Sequence, residues 1–408
     1  MTQKPWGVQL ARELGLEDQL LPTHAANRQV FVLHKGRPTP LPEGLLLIAP
    51  TKFLPFALSP LISPLGKLRM ALDLWIPPRR DNADETLASY IRRRLGREAL
   101  DTIAEPLLGG IYNAEVERQS LLATFPRLRM LEAEHGSLIK GMLAARRRQN
   151  TGKSENERNP SSAFISFVGG MQVLPQALQS QLTGDCRLRT QVETLERNTD
   201  GRYTLHLTGG TQCSARTLVL AIPAYAAADL VQALAPAAAE TLKAIRYVGT
   251  GTLSLAFRRA EITSCYAGFG LVVPRREQRS INAITWTSTK FDGRAPHEYA
   301  LLRVFFGGSR SPHMMEYDDD SLLAEVRQEL SAMAGIEAQP LFHRIYRWRR
   351  STPQYDVGHL ERVTAIEAAL PAGLYVTGSP YRGIGIPDCV RQAQQTAQSV
   401  LTFLSARM

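Results

Sequence analysis

The sequence has little cysteine, and what it has is poorly placed for chemistry. Cys186, Cys213, Cys265 and Cys389 lie far apart with no C-x-x-C pair, which argues against a structural zinc site or a disulfide framework and fits a reducing compartment. The 8 histidines include no H-E-x-x-H and no paired ligand spacing, so no metal is expected. Long apolar runs are missing too. The most apolar stretch, residues 41–78, is broken by prolines and by Lys52, Lys67 and Arg69. It falls short of the about 20 uninterrupted apolar residues that a spanning helix needs. It reads as a packed, proline-shaped region, the rival being a surface that touches a membrane or covers an apolar ligand. Residues 1–14 mix charged and apolar positions at helical spacing and do not resemble a signal peptide, and no internal repeat is visible.

What is abundant is positive charge: 48 Lys and Arg against 38 Asp and Glu, a net +10. A basic excess can serve nucleic acid, anionic membranes or acidic small molecules. The clusters Arg92 to Arg94, Arg146 to Arg148 and Arg347 to Arg350 accompany no paired Cys/His and no aromatic-rich basic strand. Nucleic acid is therefore not expected as a partner, and each cluster reads as solvated surface. With 408 residues, 44% hydrophobic and 21% charged, the chain suits a folded protein of two or three domains.

Apolar residues at spacings of three and four predict helices over residues 5–14, 86–107 and 128–148, a mostly helical front portion. Residues 149–162 carry almost no apolar side chain and predict a mobile loop. Beyond it, Phe164 to Phe167 leads into Gly169-Gly170-Met171 and a short amphipathic helix over 173–182. Strand patterns follow at 187–195, 203–207 and 217–222, the last apolar enough to be buried on both faces of a parallel sheet. Pro223 ends it before an alanine-rich helix. Strands are then predicted at 251–257, 270–274, 281–286, 299–306 and 342–349, with a helix at 318–334. Strand 374–377, a glycine turn and a helix over 387–404 close the chain. The mixture predicts an α/β sheet beside a second, mixed domain.

That closing turn is a candidate site. Gly378 follows the strand, and Tyr381-Arg382-Gly383-Ile384-Gly385-Ile386-Pro387-Asp388 leads into the helix. The glycines permit close backbone approach, and Pro387 suits a first helical turn. The helix presents Val390, Ala393, Ala397, Val400, Leu401 and Leu404 as one predicted apolar face. A helix N-terminus at the carboxyl end of a strand attracts negative charge, such as the N1–O2 edge of a reduced flavin. A lone G-x-G is equally the mark of a tight structural turn.

Four stretches together resemble the porphyrinogen oxidases of heme synthesis, protoporphyrinogen and coproporphyrinogen III oxidases, within the amine-oxidase-like flavoproteins. Gly378 to Asp388 is similar to their C-terminal flavin motif. Trp348 followed by Pro353-Gln354-Tyr355-Asp356-Val357-Gly358-His359 resembles their W…P-Q-Y-x-V-G-H segment. Arg93 to Gly96, Glu105 to Tyr112 and Thr124 to Pro126 resemble their helical region. Gly169-Gly170-Met171 with Leu174-Pro175 matches the element before their second flavin-domain strand.

The resemblance implies FAD as cofactor, a porphyrinogen and oxygen as partners, and oxidation to a porphyrin with release of peroxide. It places Val192 at the adenine, Trp348 on the flavin, and Gly378 with Gly383, Ile384, Gly385 and Ile386 around the isoalloxazine. Arg28 would meet a substrate carboxylate, and Gly109 and Gly110 would line the ring cavity. No catalytic residue is implied, because orientation over the flavin carries most of such chemistry.

The same resemblance expects an opening strand, G-x-G-x-x-G, a helix and a later acidic residue, none of which occurs here. The expected fold is therefore α/β with an incomplete FAD-binding Rossmann-like domain, a mixed-sheet substrate domain and a helical subdomain. On this reading something on the order of 60 residues, roughly two βαβ-unit lengths, is missing, and the chain as written binds FAD weakly or not at all. The expected divisions are residues 1–30 (helical entry), 31–79 (substrate domain), 80–150 (helical subdomain) and 151–162 (loop). After them come 163–235 (FAD domain), 236–345 (substrate domain) and 346–408 (FAD domain). Rival readings are another FAD amine-oxidase-like enzyme, an amine oxidase or desaturase, and a non-catalytic remnant. The choice between coproporphyrinogen III and protoporphyrinogen IX leans to the former, with a cytoplasmic location. Peripheral membrane contact and a homodimer are left open.

Overall fold

The computed structural model describes residues 4–25, 28–46, 48–151, 164–262 and 268–406. The chain folds as two units, one of Met1–Leu20, Ala163–Arg246 and Pro353–Met408, the other of Leu21–Ser162 and Tyr247–Thr352.

In the second unit, β-branched and aromatic residues at period two build a seven-stranded sheet. Its order is Phe342–Pro353, Tyr247–Arg258, Tyr299–Gly307, Ile281–Trp286, Gly270–Val272, Val30–His34 and Arg37–Pro40. Pairing is antiparallel for long runs such as Thr250 to Arg258 against Tyr299 to Gly307. Gly270–Val272 instead runs parallel to Val30–Val32. Alternation divides the faces: Phe31 and Leu33 join a core with Leu253, Leu302 and Val326, whereas Val32 joins a separate helical core. Helix Asp319–Ala334 supplies Leu322, Val326, Leu330 and Met333 to the first of these, and Asp318 caps it by accepting the Ser321 N–H at 2.8 Å.

The helical portion departs from its expected continuity. Residues 86–107 form a helix Leu87–Arg94, a break at Gly96, and a π-helix Leu100–Gly109. Residues 128–148 divide at Gly136 into Pro126–His135 and Leu138–Thr151. The last of these absorbs the first three residues of the expected loop, and 152–162 lie outside the described residues. Arg94 is not solvated as expected but fully buried. It pairs with the equally buried Asp73 and donates to the Gly136 carbonyl at 3.0 Å, while Asp73 accepts the Ile139 N–H at 2.9 Å. A buried charge persists only when paired and fully hydrogen-bonded, and this pair ties residue 73 to the two helices around it.

The first unit holds an antiparallel sheet of Val192–Arg197, Tyr203–Leu207 and Gln212–Ala215, and a parallel pair of Leu218–Leu220 with Leu374–Val376. Residues 187–190 are not strand as expected. Strand Leu218–Leu220 is not buried on both faces either, since Val219 is 39% exposed. The alanine-rich segment makes two helices, Ala224–Val231 and Pro236–Lys243, whose small side chains allow them to pack closely on each other, and the second packs also on His359–Ala369. The closing helix runs Ile386–Ser405, and its expected apolar face is open: Leu401 is 58% exposed, while the buried residues are Asp388 and Gln392.

Candidate active site

The turn from Gly378 to Gly385 is held by polar atoms on three sides. From one side, the Tyr355 hydroxyl donates to the Ser379 carbonyl at 2.7 Å and accepts the Gly383 N–H at 2.8 Å. Beside it, the His359 ring stacks on Tyr355 at 3.8 Å between centroids, and its Nε2–H donates to the Tyr381 carbonyl at 2.8 Å. From the closing helix, Gln392 accepts the Arg382 N–H at 3.0 Å and donates to the Gly383 carbonyl at 3.2 Å. Tyr355, His359 and Gln392 are all buried, so each bond replaces water that the turn cannot reach. Burial pushes the His359 pKa down to about 4, which keeps the ring neutral and able to donate from Nε2 alone.

The segment that carries Tyr355 is itself anchored. Arg246 grips Asp356 bidentately at 2.8 and 2.9 Å and accepts the Gln354 N–H on its carbonyl at 2.8 Å. Gly383 has φ +126°, and a Cβ there would lie 2.6 Å from Asp388 Cβ, so only glycine fits.

The helix N-terminus at this turn is electrostatically open. Gly385 caps Ile386–Ser405 without a side-chain bond. Asp388 in its first turn is neutralised by Lys4, whose Nζ lies 2.6 Å from Oδ2. The partial positive charge of the helix end thus stays available to a ligand. Gly385 to Asp388 border a cavity of about 270 Å³ with Lys4, Ile165, Phe167 and Met171. Burial, with the Asp388 charge adding, pushes the neighbouring Cys389 thiol up, so it stays protonated.

A second cavity, of about 280 Å³, lies in the other unit under the π-helix. Glu105, Gly109, Gly110, Asn282, Phe305 and Arg310 are among its walls. π-Helical turns widen the backbone and often mark functional sites; here one contains Pro106. Gly110 has an ordinary helical φ of −59° and nothing within 4 Å of where its Cβ would be, so the fold does not require glycine there. Its missing side chain keeps the cavity wide.

The predicted site residues therefore fall into several places. Gly378, Gly383, Ile384, Gly385 and Ile386 form one turn, and Gly109 and Gly110 line one cavity. Val192 begins a strand elsewhere in the first unit. Trp348 lies on strand Phe342–Pro353, 47% exposed and stacked on Tyr346 at 5.9 Å. Arg28 is exposed just before strand Val30–His34 and is not a wall residue of the second cavity. Sequence reasoning missed the bonding roles of Tyr355 and His359, although it singled out their segment. It missed Gln392 altogether, a polar residue in a helix with no local signal.

The chemistry of these groups fits the ring end of a flavin: glycine backbone for close approach, an open helix N-terminus for the reduced ring's charge, and apolar walls. The chain belongs to the family described as flavin containing amine oxidoreductase, whose model matches residues 2–401. Within that class it is 31% identical over 407 residues to the coproporphyrinogen III oxidase of Bacillus subtilis (strain 168), covering 99% of this chain and 85% of that one. It is 28% identical to the chloroplastic protoporphyrinogen oxidase of Nicotiana tabacum, over 97% of this chain and 74% of the relative. A crystal structure from Exiguobacterium sp. 255-15, of a protein attributed protoporphyrinogen oxidase activity, superposes with a TM-score of 0.84 at 28% identity. It covers 98% of this chain and 85% of that one. The mixed α/β fold is that of this flavoprotein group. Among the described residues no helix is long and apolar enough to cross a membrane.

Proposed function

We propose that the protein oxidises a porphyrinogen to a porphyrin in heme biosynthesis, with FAD as cofactor and oxygen as the final acceptor, releasing hydrogen peroxide. The observation that carries this reading is the Pro353 to His359 segment. Its Tyr355 and His359 hold the turn that would receive the isoalloxazine, and the same segment carries the resemblance to porphyrinogen oxidases. When bound, FAD supplies the two-electron oxidant that takes hydride from a bridging methylene. The residues of this chain position the partners. Gly378 and Gly383 to Ile386 hold the ring end, Val192 meets the adenine by its backbone, and Trp348 packs on the flavin. Gly109 and Gly110 leave room for the macrocycle's edge, and Arg28 pairs with a carboxylate arm.

The first unit is taken as the FAD-binding part and the second as the substrate part with its helical subdomain. The dinucleotide-binding sheet is read as incomplete within these residues: its parallel pair has two strands among those described, and no G-x-G-x-x-G occurs in the 408 residues. A cytoplasmic location completes the reading, with a peripheral membrane contact and a homodimer left open. Coproporphyrinogen III is the favoured substrate, because its four carboxylates suit a chain of net charge +10. The test supplies the full chain with excess FAD and compares coproporphyrinogen III, protoporphyrinogen IX and a panel of amines under air. Porphyrin fluorescence with matching peroxide is expected; peroxide from amines alone would replace this reading with an amine oxidase. No turnover of any substrate would favour a non-catalytic remnant.

A further inference from the structure

The cavity under Gly110 contains more positive charge than an apolar ring requires. At about 280 Å³ it stands at the low end of ligand pockets, with room for an arm of a macrocycle rather than the whole. Arg310 is committed there: its Nη2 donates to Glu105 Oε1 at 2.7 Å and its Nη1 donates to the Val273 carbonyl. The other oxygen of Glu105 accepts the backbone N–H of Arg275 at 3.0 Å, so one buried carboxylate fixes the positions of both arginines. Arg275 is differently placed: it borders the cavity but is itself exposed. It meets Ser309 Oγ at 3.4 Å and, among the described residues, pairs with no carboxylate. Of the other acids of an adjoining cavity that Arg275 also borders, Asp101 and Glu117 are paired with Arg97 and Arg92, and Glu115 is engaged as well. With two cations against one anion, the group Arg275, Arg310 and Glu105 carries a net positive charge.

Resting on the porphyrinogen reading, we propose that Arg275 is a second carboxylate anchor, gripping one acidic arm of the substrate in this cavity. It is distinct from Arg28 by position. Val30 pairs with Gly270 in a parallel register, so Arg28 precedes one end of that strand pair and Arg275 follows the other. On this assignment a macrocycle with a carboxylate on every ring would engage both anchors, and one whose two carboxylates sit on adjacent rings would engage Arg28 alone. Arg275 thereby selects coproporphyrinogen over protoporphyrinogen.

The test is a fluorescence titration of the full chain with coproporphyrin III and with protoporphyrin IX, the stable aromatic products. Arg275→Gln is expected to weaken coproporphyrin binding roughly tenfold, the loss of one charge-assisted hydrogen bond, and to leave protoporphyrin binding within about twofold. Arg275→Lys keeps the charge but not the fork and should give a smaller loss on coproporphyrin alone. No change, or an equal loss on both porphyrins with an unaltered melting curve, overturns the assignment. Should Arg275→Gln not fold, the lysine variant decides by the same comparison. A wild-type chain that binds neither porphyrin sinks the porphyrinogen reading itself, whereas binding insensitive to Arg275 sinks only this anchor.

Discussion

Tyr355 bears on the candidate site through one oxygen atom. Its hydroxyl joins the Ser379 carbonyl to the Gly383 N–H inside a buried turn, so Tyr355→Phe strands a donor and an acceptor together. We expect a loss of about 2–3 kcal/mol in urea-unfolding stability, from two unsatisfied buried groups. An undiminished midpoint would mean that water enters the turn. His359 makes a pH-dependent contribution of predictable sign. Its folded pKa near 4 lies below the ordinary 6.5, so the unfolded chain takes up a proton that the native ring refuses. Stability from this group is complete above about pH 6.5 and falls as pH drops toward 4, by at most roughly 3 kcal/mol. Urea titrations at successive pH values should show that slope, and His359→Gln should flatten it.

The π-helix Leu100–Gly109 with Gly110 behind it is a local compromise between stability and space. Glycine in helical conformation costs about 0.5–1 kcal/mol relative to alanine. Since a Cβ at Gly110 meets nothing within 4 Å, Gly110→Ala should raise the melting temperature by a few degrees. It should also narrow the cavity and weaken porphyrin binding in titration. A variant that gains stability and binds as before would separate the cavity from the substrate. The C-terminal helix shows a related mismatch between pattern and packing. Its apolar stripe was readable, but Leu401 faces solvent, and the buried positions are Asp388 and Gln392, which serve the turn.

For the whole molecule, charge and exposed apolar surface combine. Leu65, Leu68, Leu72 and Trp75 repeat at three and four residues and are 79%, 63%, 45% and 72% exposed, so this stretch turns its apolar stripe outward. Phe53, Leu54 and Leu58 on the preceding helix are exposed as well. With a net charge of +10, such a surface suits an anionic bilayer. The chain is expected to sediment with phosphatidylglycerol vesicles, less so at high salt, and Leu68→Ser with Trp75→Ser should release it without altering the melting curve. Retention of the double variant on vesicles would place the contact elsewhere.

The amino-acid sequence alone determined most of the kinds of element, the strand–turn–helix at residues 374–405, and the four motifs that carry the family resemblance. Period and local chemistry suffice for these, because a strand, a cap or a glycine turn is specified by neighbours in the chain. It also located the Pro353 to His359 segment without revealing its use. Tertiary structure alone decided that Tyr355 and His359 bind the turn 22 to 28 residues onward. The same holds for the burial of Arg94 with Asp73, and for the spending of Glu105 on Arg310, 205 residues away, while Arg275 stays open. No local pattern distinguishes a paired arginine from a solvated one. The difference lies in which carboxylate the packing brings within reach, and that is set only when the cores close.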